Sequence, residues 1–247
     1  MSLTVKTSGG SAAWFTTTHW SIVWNARNGD APISDEALEK LCRTYWRPLY
    51  AFIRREGYQR EDAQDLTQEF VRTFLHKEWL NHLQHQDGKF RNFLLTFLKN
   101  FLRDERDRAR ARKRGGGKPM ISLDAFEEEE RDFIGPVDGL TADQAYDRRW
   151  ADGVITQAQE LLRQKYAADD TLAHYDQFKD LQPGEHGERS YAQIGAALGM
   201  SESAVKSAVR RFRQKYREAL RETVAHTVLD QKEVTEELAH LVRIYSK

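Results

Sequence analysis

A chain of 247 residues carries 38 basic and 38 acidic side chains, a formal net charge of +0, which excludes a protein that coats nucleic acid through uniform positive charge. The single cysteine, Cys42, excludes a disulfide framework and a cysteine-based zinc site. No apolar run approaches the ~18–20 residues that span a bilayer, and the N-terminus MSLTVKTSGGSAA lacks the apolar stretch of a secretory signal, so a cytoplasmic protein without a membrane partner is expected.

Glycine and proline are sparse and the long segments repeat with period 3.6 rather than 2, which predicts an all-α fold of two helical domains joined by an acidic flexible linker. Residues 1–14 are small and polar and are expected to be disordered. The first domain is expected over 15–114. Trp20, Val23 and Trp24 suggest a short amphipathic helix capped by Thr18. From residue 35 to about 55, Leu38, Leu41, Tyr45, Leu49 and Phe52 make a core face that includes Cys42, and Pro48 is expected to kink or divide the helix. Ala63, Leu66, Phe70 and Phe74 form a second core face. A third long helix carries Phe90, Phe93, Leu94, Phe97, Leu98, Phe101 and Leu102 and ends in ARARKRGGGKP.

Residues 115–140 combine a glycine triplet, two prolines and the run Glu127–Glu130, and read as an exposed linker that either solubilises the chain or mimics nucleic acid in a partner's basic channel. A second domain is expected over 141–229, with Trp150, Val154, Leu161 and Leu162 among its apolar positions. Its most informative stretch is the predicted helix-turn-helix at 190–220. Ile194 and Leu198 share a face of the first helix, Gly199 follows where a tight turn needs positive φ, and Ser201 is placed to cap the second helix. There Val205, Val209, Phe212, Tyr216 and Leu220 build one apolar stripe. Opposite lie Ser203, Lys206, Ser207, Arg210 and Gln214, groups suited to base edges, flanked by Arg211, Arg213, Lys215 and Arg217 as phosphate partners. Residues 230–247 are expected to form a C-terminal helical extension carrying Val234, Leu238 and Leu241.

Charge is segregated along the chain: 103–118 is mostly basic, 124–132 mostly acidic and 206–221 basic again. Asp62, Asp65, Gln68, Glu69 and Arg72 lie opposite the core face of their helix, as a solvated surface or a protein-docking face. Carboxylates at Asp62, Asp65 and Glu69 also suit a metal-dependent nuclease, but no second cluster supplies two-metal geometry. His76, His82 and His85 have no supporting metal-ligand pattern. Asn92, Asn100, Arg103, Asp104 and Arg106 join the cationic tail of the third helix, and aromatics interleaved with basic and amide groups suit exposed bases. Neither a phosphate loop nor a nucleophile elbow is present, so no catalytic residue and no cofactor are expected.

Three segments in order resemble bacterial RNA polymerase sigma factors of the sigma-70 family, in the compact extracytoplasmic-function group: DAQDLTQEF at 62–70, FRNFLLTFLKNFLRDERDRARARKR at 90–114, and the unit at 191–220. TTTHWSIVW and AYDRRWADGVI are similar to planctomycete-type members. The chain has Phe93 where the family often has Trp, and Leu95 where it often has Tyr. The resemblance implies that Asp62, Asp65, Gln68 and Glu69 bind core RNA polymerase. It implies minus-ten promoter contacts at Phe90, Asn92, Phe93, Asn100, Arg103, Asp104 and Arg106, and minus-thirty-five contacts at Ser203, Lys206, Ser207, Arg210, Arg211 and Gln214. The implied function is initiation of transcription at specific promoters, as a monomer when free, with room for an anti-sigma partner. The rival expectation is a helix-turn-helix regulator that binds DNA independently of polymerase.

Overall fold

The computed structural model describes residues 35–75, 89–112, 139–181, 189–228 and 231–246. The tryptophan-rich segment near residue 20, the three loop histidines and nearly all of the acidic linker lie outside them. Among the described residues the chain is helical: α1 (Asp35–Arg55), α2 (Arg60–Leu75), α3 (Phe90–Arg112), α4 (Ala142–Ala168), α5 (Leu172–Phe178), α6 (Tyr191–Leu198), α7 (Glu202–Ala225) and α8 (Gln231–Tyr245). The only pairing of strand type among them is an isolated antiparallel bridge between Lys89 and Val228.

Local chemistry sets the helix starts. Thr141 accepts from the Gln144 amide at 3.3 Å while Gln144 returns a bond to the Thr141 amide at 2.9 Å, a reciprocal box that opens α4. Ser190 and Gln193 build the same box at the start of α6, and Ser201 accepts from the Ala204 amide to start α7. Each such cap contributes about 1 kcal/mol. Pro48 neither ends nor divides α1, which runs through it. Proline has no N–H to offer the Thr44 carbonyl, and a Cβ added at Gly153 of α4 would lie 3.9 Å from that carbonyl oxygen, an ordinary contact.

Two buried clusters hold the helices together. The first gathers Tyr45, Leu49, Phe52 and Ile53 of α1, Phe70 and Phe74 of α2, and Phe90, Leu94, Leu98 and Leu102 of α3. Tyr45 meets Phe90 edge-on at 4.9 Å and stacks on Tyr146 at 6.5 Å, and burying each ring contributes about 1.5–3 kcal/mol. In the second cluster Phe212 of α7 is central, with Tyr166, Tyr175 and Phe178 around it at 5.8, 6.0 and 5.9 Å.

These clusters do not divide at residues 115–140, where the sequence pattern put the boundary between domains. Tyr146, Trp150 and Val154 in the first half of α4 belong to the first cluster, and Ala158, Leu162 and Tyr166 in its second half belong to the other. Helix α7 is shared in the same way, its end at Val224 and Ala225 joining the first cluster. A helix of 27 residues is ~40 Å long, more than one small core can cover. Val234 and Leu241 of α8 also enter the first cluster.

Candidate nucleic-acid interface

Helices α6 and α7 meet across a short turn. Gly199 has φ 64° and ψ 31°, a left-handed conformation that glycine adopts without a Cβ penalty. A second glycine matters for a different reason. A Cβ on Gly195 would stand 2.5 Å from the Met200 carbonyl oxygen, so only glycine lets the turn fold back onto α6. Ile194, Val205, Val209, Phe212 and Tyr216 are buried in the second cluster.

The opposite side of α7 is open to solvent. Ser203, Lys206, Ser207, Arg210, Arg211 and Gln214 are all exposed. Lys206 pairs with Glu202 at 2.9 Å and Gln214 donates to Glu218 at 2.8 Å, and exposed contacts of this kind are weak enough to be exchanged for a ligand. The flanking cations split into two groups. Arg213 donates from Nε to the Leu181 carbonyl at 2.9 Å, and Lys215 lies over the Tyr166 ring at 4.8 Å while facing Asp169. Both tie α7 to its neighbours, whereas Arg211 and Arg217 stay exposed.

Helix α3 separates its predicted contact residues by face. Asn92, Asn100, Arg103, Asp104 and Arg106 are exposed. Phe90 and Phe93 are not: Phe90 is held between Tyr45 and Phe74, and Phe93 packs on Phe74 and Phe97. Neither ring offers a face to a base in this arrangement, because apolar periodicity assigns both to the core stripe of α3. Arg106 has structural partners as well. It donates to Tyr58 and Glu56 in the connection between α1 and α2, and the Glu56 and Tyr58 contacts raise its already high pKa.

On α2, Ala63, Thr67, Phe70 and Phe74 face inward, with Thr67 bonded to the Ala63 carbonyl. Asp62 is exposed, Asp65, Gln68 and Glu69 are half-buried, and Glu69 holds Arg72. The four therefore share the outer side of one helix. No group of three or more His, Cys, Asp or Glu among the described residues is placed to hold a metal ion, and no described helix is long and apolar enough to cross a membrane.

A group that sequence reading did not single out joins the start of α3 to α4 and α8. Arg91 donates twice to Glu237, from Nε at 2.8 Å and Nη2 at 3.1 Å, and from Nη1 to Asp147 at 2.8 Å. Its guanidinium lies 5.2 Å from the Trp150 ring centre. Glu237 is only 1% exposed. The His240 ring contacts Asp147 at 3.1 Å, and Lys89 approaches Glu236 at 2.9 Å and Glu237 at 3.5 Å. Burial pulls the Arg91 pKa down, but hydrogen bonding and charge from Glu237 outweigh it and the net shift is upward. His240 is moved the other way, by burial and then by the Arg91 charge, against the pull of Asp147. The available sequence signal was an acid inside the Val234–Leu241 stripe and an arginine between Phe90 and Phe93.

Compared with known proteins, the chain matches no family model, no curated protein and no solved structure.

Proposed function

We propose that this chain is a sigma-type initiation factor that brings core RNA polymerase to promoters through two DNA readers, α7 for an upstream element and the exposed side of α3 for a downstream one. The observation that carries the reading is the division of α7. Val205, Val209, Phe212 and Tyr216 of its apolar stripe are buried, while Ser203, Lys206, Ser207, Arg210 and Gln214 stand together on the outside from the capped start of the helix to its middle. A helix end so presented fits the major groove, and those side chains suit base edges. The acidic outer side of α2 supplies a surface for a basic protein partner. No bond-making chemistry is assigned to the chain.

Purified protein combined with core polymerase on a library of promoter fragments should give discrete start sites. Intact binding to core without start sites would sink the proposal. A gel shift with duplex DNA alone separates the rival: tight binding at moderate salt without polymerase is the behaviour of an independent regulator, and weak binding that polymerase strengthens is the behaviour expected here.

A further inference from the structure

We infer that Glu202 is a specificity-determining residue of the upstream reader: its carboxylate and the Lys206 ammonium together recognise one C·G base pair of duplex DNA, Glu202 taking the cytosine and Lys206 the guanine. The inference rests on the part of the reading above that puts the start of α7 in the major groove.

The ordinary roles of an acid at this position are filled or small. Glu202 is the first residue of α7, and the cap there is Ser201, whose hydroxyl accepts from the Ala204 amide. An acid in a first helical turn complements the helix dipole. Its bond to Lys206 joins two side chains that are each more than half exposed, a contact of the kind that adds little to stability. Against these gains stands a cost peculiar to a helix that enters DNA. The exposed side chains that follow, Ser203, Lys206, Ser207 and Arg210, are neutral or cationic, and a carboxylate among them is repelled by the phosphates. A hydrogen-bond donor on the DNA turns that cost into a gain.

The major groove offers two such donors. Adenine N6 stands beside N7, an acceptor that repels a carboxylate, whereas cytosine presents N4 alone, next to guanine O6 across the pair. N4 and O6 bond each other at ~2.9 Å, the ordinary N–H···O separation. Glu202 Oε1 and Lys206 Nζ are 2.9 Å apart, so an acceptor and a donor on the protein face a donor and an acceptor on the base pair at matching spacing. Reach fits as well: Glu202 to Arg210 covers ~12 Å of helix axis, and the groove is about 12 Å wide.

The test selects duplexes with the full-length chain at low salt, where weak binding is held, and then measures affinity over all single-base variants of the selected site. One position should prefer C·G. Glu202→Gln should move that position toward adenine, because a carboxamide pairs with adenine N6 and N7, and the ratio of C·G to A·T affinity there should fall about fivefold to tenfold. Lys206→Ala should weaken discrimination at the same position. A C·G preference that survives Glu202→Gln, or a selected site in which no position responds to it, overturns the assignment. So does an equal gain on every duplex with a salt dependence steeper by about one phosphate contact, since the acid would then only shield Lys206. The same panel read by initiation with core polymerase separates the two proposals: a shifted base preference on duplex with no initiation by any form would overturn the sigma reading and leave the role of Glu202 standing.

Discussion

Arg210 and Arg213 stand three residues apart on α7 and answer to different partners. Arg213 is half-buried and bonded to the Leu181 carbonyl, while Arg210 points into solvent beside Ser207 and Gln214. Arg210→Ala is therefore expected to cost ~1–3 kcal/mol at one base position of the upstream element, measured by initiation across a set of single-base promoter variants. A uniform loss over all sequences would make Arg210 a phosphate contact instead. Arg213→Ala is expected to lower thermal stability without changing base preference. His240 gives a prediction in pH. Its folded pKa lies below the ordinary 6.5, so between those values the unfolded chain binds the extra proton. Its contribution to stability is complete above about 6.5 and declines as pH falls toward the folded pKa, at no more than ~1.4 kcal/mol per pH unit. Eight histidines make the raw profile ambiguous, and the difference between wild type and His240→Gln in denaturant midpoint, from pH 7.5 to 5, isolates this one. A difference that grows in the opposite sense on acidification would mean that attraction to Asp147 exceeds the effects of burial and Arg91.

The turn between α6 and α7 depends on one close approach more than on its left-handed residue. Gly195→Ala places a methyl group against the Met200 carbonyl, and backbone there cannot swing aside as a side chain can. A loss of ~1–3 kcal/mol is expected from this overpacking, read as a lowered denaturant midpoint with unchanged slope. A neutral substitution would show that the turn relaxes freely. How much of each element was legible in the sequence follows from what sets it. Val205, Val209, Phe212 and Tyr216 announced themselves because a period of 3.6 survives any tertiary arrangement that buries one face. Ser201 and Gly199 were visible because capping is local. The roles of Phe90 and Phe93 were less so. The same aromatic stripe suits a core or a stack of bases, and only the neighbours, Tyr45 and Phe74, decide it. Glu237 was hidden for a related reason: an acid in an apolar stripe reads as an interruption until Arg91, 146 positions away in sequence, is seen beside it.

Across the whole molecule, the boundary between cores was illegible because α4 and α7 are uninterrupted helices with an apolar position at every turn, and nothing in such a pattern says where one partner gives way to another. The switch falls between Val154 and Ala158. Each core nevertheless has its own aromatic centre, the rings of Phe70, Phe74, Phe97 and Phe101 in one and those around Phe212 in the other. Trp150 lies on the shared helix in the first core, fully buried, beneath Arg91 and 5.9 Å from the His240 ring. Trp150→Ala should cost ~3–5 kcal/mol, a large part of the ~5–15 kcal/mol that holds a domain folded. If the cores are separable, that loss is felt on one side. Amide exchange should accelerate in α8, which at 15 residues is marginal once undocked, and in residues 142–154. Amides of 158–166 and 205–219 should keep their protection, because the ring cluster around Phe212 is untouched. Uniform acceleration through both cores would show that the chain opens only by unfolding as a unit.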